Sequence, residues 1–458
     1  MIQTRHPCGR RRPQVDWDEL LAGALSSLWQ CRVELLALVV IVGAHRLVAN
    51  SGGETVATVL ALALGLVAAA VAPCRRLLRR TLRRASLRRG WERAAVDAGL
   101  SDGPLRVPRV IGAHGIPAGD ILRVRVRRGQ SVAALDACAG ALAACLRVRE
   151  VRIDQEPGDA AIARVTLVRR DPFEAAAPMP WPSADAEAAS LWDPIPLGVN
   201  EYGEPVAITL AERNVLIGGE PGAGKSAALS MLVAAAALDP AARVWLLDGK
   251  VVELAAWAPV AERLAGPDGE QAIELLRDVR EEMEARYREL LARGLRKVPR
   301  KDGLPLHLVV CDELAFYLTL PDKRQRQEFA ELLRDLVARG RAAGVVVVAA
   351  TQKPGADVVP SALRDLFGFR LALRCNTPQA SDTILGQGWA SAGADASQIP
   401  GGQRGVGLLL AEDDRPVRLR GFYLSDEDVR GIAERAAARR ADDWHAAASE
   451  AVEGGVPA

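Results

Sequence analysis

Residues 215–226 read VLIGGEPGAGKS. A short apolar run gives way to paired glycines and then to Gly224, Lys225 and Ser226, the pattern of a buried strand turning tightly into a helix. Gly219, Gly224, Lys225 and Ser226 satisfy G-x-x-x-x-G-K-[ST], and the strand before and helix after are the context that spacing requires. Glycines let the backbone wrap a chain of phosphates, whose charge is met by amides at the helix N-terminus. Lys225 would reach the terminal phosphates and the Ser226 hydroxyl would hold Mg²⁺. The expected nucleotide cradle is therefore Gly219, Glu220, Pro221, Gly222, Ala223, Gly224, Lys225, Ser226 and Ala227.

Downstream, the runs at 244–247, 306–311, 345–350 and 369–373 are largely apolar, as expected for parallel strands buried on both faces. The stretches 271–291 and 325–341 are amphipathic and suit crossover helices. Together they predict an open, wound α/β domain over 194–425. Within it, LHLVVCDE at 306–313 is an apolar strand ending in two carboxylates. That fits Asp312 holding Mg²⁺ and Glu313 activating an attacking water; the alternative is a pair that only caps the next helix. The run at 345–350 ends in Thr351 and Gln352, on the sheet edge where ligands bind, so Gln352 is a candidate sensor of the γ-phosphate. Asp248, Gly249 and Lys250 end another strand there, with turn capping an equal alternative for Asp248.

Upstream the texture differs. The 458 residues are 49% hydrophobic and 25% charged, which excludes a disordered chain, and the seven cysteines form neither a CxxC pair nor a disulfide framework. The net charge of +2 hides an arginine-crowded first quarter. Residues 35–44 (LLALVVIVGA) and 55–72 (TVATVLALALGLVAAAVA) are apolar. About 20 apolar residues cross a bilayer as a helix, which predicts a two-helix transmembrane hairpin over 31–73; a buried hairpin in a soluble domain is the alternative. Arg5, Arg10, Arg11 and Arg12 precede it, and Arg75, Arg76, Arg79, Arg80, Arg83, Arg84, Arg88 and Arg89 follow it. Excess arginine marks the cytoplasmic side, so a multi-pass plasma-membrane protein with both termini in the cytoplasm is expected. Residues 1–30 are a basic N-terminal tail, and the arginine-rich juxtamembrane segment at 74–95 would meet membrane lipid, although it could instead touch DNA. A small α/β domain over 96–173 is read from strands at 121–126, 148–153 and 163–168 around a helix at 132–146. The Pro- and Ala-rich stretch 174–193 reads as a linker, and 426–458 as a helical tail with a flexible end.

The order of these motifs resembles the FtsK/SpoIIIE family of DNA-translocating ATPases. It is carried by PIPLGVNEYGEPVAITLAERNVLIGGEPGAGKS, WLLDGK, EMEARYREL, VVCDELA, RGRAAGVVVVAATQKPGADVVP, FRLALR and SDTILGQG, over residues 194–424. The resemblance implies a RecA-like, ATP- and Mg²⁺-dependent motor that forms a homo-oligomer, usually a hexameric ring, around double-stranded DNA. It implies catalytic roles for Lys225, Glu313 and Gln352, and an arginine lent by the neighbouring subunit. Arg370 is the first candidate and Arg364 the second, with structural ion pairing as the alternative. Lys323, Arg324, Arg326 and Lys353, on loops leaving the nucleotide edge, are candidate DNA contacts; a solvated basic surface is the plainer reading. Pro221 and Ala223 stand where family loops more often carry Thr and Ser, which leaves the essential glycines, lysine and serine in place. A membrane hairpin, a small α/β unit and one motor resemble the Tra-type translocases of actinobacterial conjugative elements, which implies DNA transfer between cells, with other transfer proteins as partners. Protein export of the type VII secretion kind, or an ATP-switched membrane recruitment module, are the alternatives.

Overall fold

The computed structural model describes residues 72–101, 107–174, 177–302, 304–355, 358–411 and 415–453. The predicted basic tail and nearly all of the predicted hairpin lie outside them, as do residues 454–458; the start of the predicted flexible end, after Ala447, instead continues the tail helix to Glu453. Among the described residues no helix is long and apolar enough to cross a membrane. The chain divides into two compact units, 1–170 and 171–458.

In the first unit, β1 (Arg109–Ile116), β2 (Gly119–Arg125), β3 (Glu150–Glu156) and β4 (Asp159–Val168) form an antiparallel sheet in the order β1-β2-β4-β3. Sequence periodicity misses β1 because a bulge between Val110 and Gly112 breaks its alternation. The expected single helix at 132–146 is two, Val132–Asp136 and Ala139–Leu146, with Ala137 and Cys138 between them. The arginine-rich segment is not separate from this unit. It forms the helix Ala72–Asp97, whose last turns bury Trp91, Ala94 and Ala95 in one core with Leu122, Val124, Leu142 and Val165. Trp91 pins it further by donating its indole N–H to the Pro108 carbonyl at 2.8 Å.

The second unit is built on a ten-stranded sheet. Its strands are β5 (Ile195–Asn200), β6 (Pro205–Ile208), β7 (Val215–Gly218), β8 (Ala242–Leu247), β9 (Ala261–Ala265), β10 (Leu306–Cys311), β11 (Val345–Thr351), β12 (Phe369–Leu373), β13 (Val406–Leu410) and β14 (Val417–Gly421). They lie in the order β6-β5-β14-β13-β12-β7-β11-β10-β8-β9. Pairing is parallel from β12 through β9 and antiparallel from β12 through β6. The five strands expected from the apolar runs are the inner parallel ones, and the antiparallel half extends the sheet beyond them.

Continuous apolar runs are needed here because both faces are covered. Val346, Val348 and Ala350 face one core with the helix Lys225–Ala237. Val345, Val347 and Ala349 face the other, under the helices Gly269–Ala292 and Lys323–Ala343. The expected linker is part of this unit rather than a free tether. Trp181 and Leu191 are buried in the first core, and Leu191 donates its N–H to Asp239 at 2.8 Å. Two large apolar residues in a Pro/Ala-rich stretch anchor it by burial. The tail helix Asp426–Glu453 also docks, through Val429, Ile432, Ala433 and Ala436. Arg440 then donates to the Ala236 carbonyl at 3.1 Å, placing a cation at the C-terminus of Lys225–Ala237 where the helix dipole favours it.

Candidate nucleotide site

β7 lies between β11 and β12, buried along its whole length, and its C-terminal end opens into the glycine loop. Gly222 and Gly224 have φ of 78° and 108°, left-handed values that glycine adopts without steric cost. At Gly224 a side chain is also excluded by Gly405, whose Cα would lie 2.9 Å from an added Cβ. Ala223 is buried and its carbonyl accepts from the Gly405 N–H at 2.9 Å, so a small residue belongs there. Pro221 is exposed. Lys225 and Ser226 open the following helix, with Ser226 and Ala227 half-buried.

The lysine is aimed at the end of β10. Lys225 Nζ donates to the Asp312 carbonyl at 2.8 Å and to its Oδ1 at 3.0 Å, and both side chains are almost fully buried. Asp312 Oδ2 is buried without a hydrogen bond, and Lys250 Nζ stands 3.6 Å away. A buried carboxylate oxygen left open, at a strand end that meets the first turn of the helix bearing Ser226, fits a group that would help to hold a divalent cation. Glu313 begins the helix Leu314–Leu318 yet caps nothing with its side chain. Its Oε1 instead accepts from Thr351 Oγ1 at 2.9 Å and from the Gln352 N–H at 3.1 Å. The capping alternative for this pair therefore fails, because the carboxylate is turned across to the end of β11.

The neighbouring strand end decides differently. Asp248 Oδ1 and Oδ2 accept from the N–H groups of Lys250 at 3.0 Å and Leu254 at 2.8 Å, which is the turn-capping role. Cys311, next to Asp312, is inert, since burial pushes its thiol well above the usual range. What these elements assemble is a phosphate cradle, a lysine, an aspartate with an open oxygen and a glutamate held by a threonine. Residues 183–389 match the sequence profile of the FtsK/SpoIIIE family.

This unit carries an FtsK/SpoIIIE domain.

Curated relatives agree. The chain is 27% identical over 291 residues to DNA translocase FtsK of Pseudomonas aeruginosa, covering 55% of this chain and 34% of that protein. It is 29% identical over 255 residues to DNA translocase SftA of Bacillus subtilis, covering 51% and 25%. The chain thus spans about a third or less of the length of these relatives. Among solved structures it resembles the pCW3 conjugation coupling protein TcpA, monomer form with ATPgS, at 18% identity and a TM-score of 0.51, over 77% of this chain and 99% of that one. At that identity the likeness is one of fold. What is shared is an α/β mixed-sheet fold of the P-loop ATPase-like kind.

Arg370 and Arg364 do not stand at the FtsK/SpoIIIE domain's own cradle. Arg370 sits opposite Leu216, two positions before the end of β7, with Nε buried and unbonded and Asp365 3.7 Å from its NH1. Burial lowers its pKa from the ordinary arginine value. Arg364 is buried and paired with Asp365 at 2.8 Å. The arginine that does meet the loop is Arg374, whose guanidinium pairs with Glu220 and whose carbonyl accepts the Glu220 N–H at 2.9 Å. Sequence reading missed it; its signal is its place just past a strand that runs parallel to β7. Of the candidate DNA contacts, Lys323, Arg324 and Lys353 are exposed, whereas Arg326 is half-buried and donates to the Leu320 carbonyl at 2.9 Å.

Proposed function

We propose that the protein is a membrane-anchored, ATP-driven translocase of double-stranded DNA that serves conjugative transfer. The observation that carries the motor reading is the end of β10, where Asp312 meets Lys225 and Glu313 is held by Thr351 and the Gln352 N–H. Mg²⁺, when bound, neutralises charge between the terminal phosphates; Ser226 and Asp312 Oδ2 are the groups that would hold it. Lys225 exchanges its Asp312 contacts for phosphate oxygens. Glu313 takes up a proton from the attacking water, with the Thr351 hydroxyl and the Gln352 N–H fixing how its carboxylate points. Gln352, on the backbone that grips Glu313, carries the phosphate state into the loop that bears Lys353.

DNA as cargo is supported by the names of the curated relatives, and conjugation by the name of a solved protein aligned along 99% of its length. Lys323, Arg324 and Arg326 open the helix Lys323–Ala343. Cations there oppose the helix dipole, a cost that contact with a phosphate backbone would offset. The full-length chain should therefore hydrolyse ATP faster with double-stranded DNA, and Lys225→Ala should abolish hydrolysis. Turnover indifferent to every DNA tested would sink the cargo reading.

Arg370, away from its own cradle and partly exposed, is the proposed trans arginine of a hexameric ring. Mixing inactive Arg370→Ala and Lys225→Ala subunits should restore turnover; no recovery at any ratio returns Arg370 to a structural role. The apolar runs flanked by arginine support the anchor. A reporter joined after Phe173 should face the cytoplasm, and an external reporter would remove that topology.

A further inference from the structure

The geometry points to Arg374 as a phosphate-binding arginine of the chain's own site, which grips the terminal phosphate of a nucleoside triphosphate in place of Glu220. This rests on the nucleotide site described above.

Two backbone constraints fix Arg374 against the cradle. A Cβ at Gly219 would lie 2.8 Å from Leu373 Cβ, so only glycine lets the loop come this close to the end of β12. One residue on, the Glu220 N–H donates to the Arg374 carbonyl at 2.9 Å. The Arg374 backbone is therefore held at the start of the loop, and its guanidinium rests there on Glu220.

That start is the terminal-phosphate end. The Gly219 N–H donates to the Thr351 carbonyl at 3.2 Å, and Thr351 Oγ1 holds Glu313. The loop's first residues therefore lie between Arg374 on one side and the carboxylate that directs water on the other. The opposite end of the loop, at Lys225 and Ser226, is served by helix amides.

Glu220 is the unusual member. A carboxylate inside a phosphate cradle repels the ligand unless it is neutralised, and Arg374 neutralises it. The arginine side chain keeps 30% of its surface exposed while Glu220 keeps 13%, so the guanidinium has an accessible face. A terminal phosphate carries more charge than a carboxylate and offers the same fork-shaped match, so it competes for the guanidinium. ADP lacks the competing group, and the carboxylate keeps its partner. The pair thus discriminates triphosphate from diphosphate within one subunit, a role distinct from that of an arginine lent in trans.

The test is calorimetric titration of the full-length chain with ATPγS and with ADP, each with Mg²⁺, alongside Lys225→Ala. Arg374→Ala should weaken ATPγS about tenfold or more and ADP less than about threefold, a loss on the scale of a charge-assisted pair. Glu220→Gln should bind ATPγS at least as tightly as the parent, and Glu220→Gln/Arg374→Ala, freed of the unneutralised carboxylate, should recover part of the Arg374→Ala loss yet stay clearly weaker than Glu220→Gln. Should Arg374→Ala not fold, Arg374→Gln is read by the same ATPγS-to-ADP ratio. A double variant restored to parental affinity would overturn the inference, since Arg374 would then only neutralise Glu220. So would an equal loss for both nucleotides. If the parent binds ATPγS no better than Lys225→Ala, the site reading itself falls and the inference with it.

Discussion

Two aspartates of the second unit, Asp171 and Asp312, each face a cation with little or none of the side chain exposed, and they are satisfied differently. Asp171 uses both oxygens fully. Its Oδ1 accepts from the Phe173 N–H at 3.0 Å and from Arg418 at 3.2 Å, and its Oδ2 from Gln403 at 3.0 Å and Arg418 at 2.8 Å. Arg418 in turn reaches Glu201 at 2.8 Å and lies over the Phe173 ring. Asp312 has one oxygen on Lys225 and one with no hydrogen bond. A sequestered charge with every lone pair met holds structure in place. One with an open lone pair is held ready for something else. The contrast separates a clamp from a reactive centre without reference to any motif.

The largest expected effect breaks the contrast at its reactive end. Asp312→Asn keeps the shape and a neutral acceptor for Lys225 but removes the charge that would hold Mg²⁺. ATP turnover should fall by about a thousandfold, as for loss of a group that neutralises phosphoryl-transfer charge. Asp171→Asn should alter turnover less than about threefold, as expected of a group whose contacts are made before and after the reaction. Steady-state ATPase assays on both variants decide it. Comparable losses in the two would mean that saturation of the carboxylate says nothing about role.

How far the sequence discloses each aspartate follows from the range of its contacts. Asp312 is legible because its meaning is local: an apolar strand, then two acids, at a readable distance behind the loop of Gly219 to Ser226. The inner parallel strands are legible for the same reason, since burial on both faces writes an unbroken apolar run such as VVVVAA at 345–350. The Asp171 clamp is not, because its partners Gln403 and Arg418 stand 232 and 247 positions away. Composition likewise marked 174–193 as a tether, whereas burial of Trp181 and Leu191 is settled only by the folded sheet. Arg374 needed register. An arginine at the start of FRLAL resembles a motif, but β12 runs parallel to β7 with Phe369 beside Val215, so the residue that arrives at the loop lies four places after Arg370.

The smallest expected effect tests the clamp by stability and pH. Burial alone would raise the Asp171 pKa, but hydrogen bonds from Arg418, Gln403 and the Phe173 N–H outweigh it and hold the carboxyl at about 2. A carboxyl whose folded pKa lies below its unfolded value stabilises the fold at all higher pH, and that stabilisation drains away as pH falls through the folded value. Asp171→Asn should therefore cost about 1.5–3 kcal/mol at neutral pH, the range for hydrogen bonds to a charged group. The deficit should persist down to the usual carboxylate pKa of about 4 and shrink between about 4 and 2. Thermal melts of parent and variant measured in parallel isolate this one group, because every other titration is common to both. A deficit unchanged at pH about 2 would mean that the Asp171→Asn substitution is costly through shape rather than lost charge, and the clamp would then owe little to ionisation.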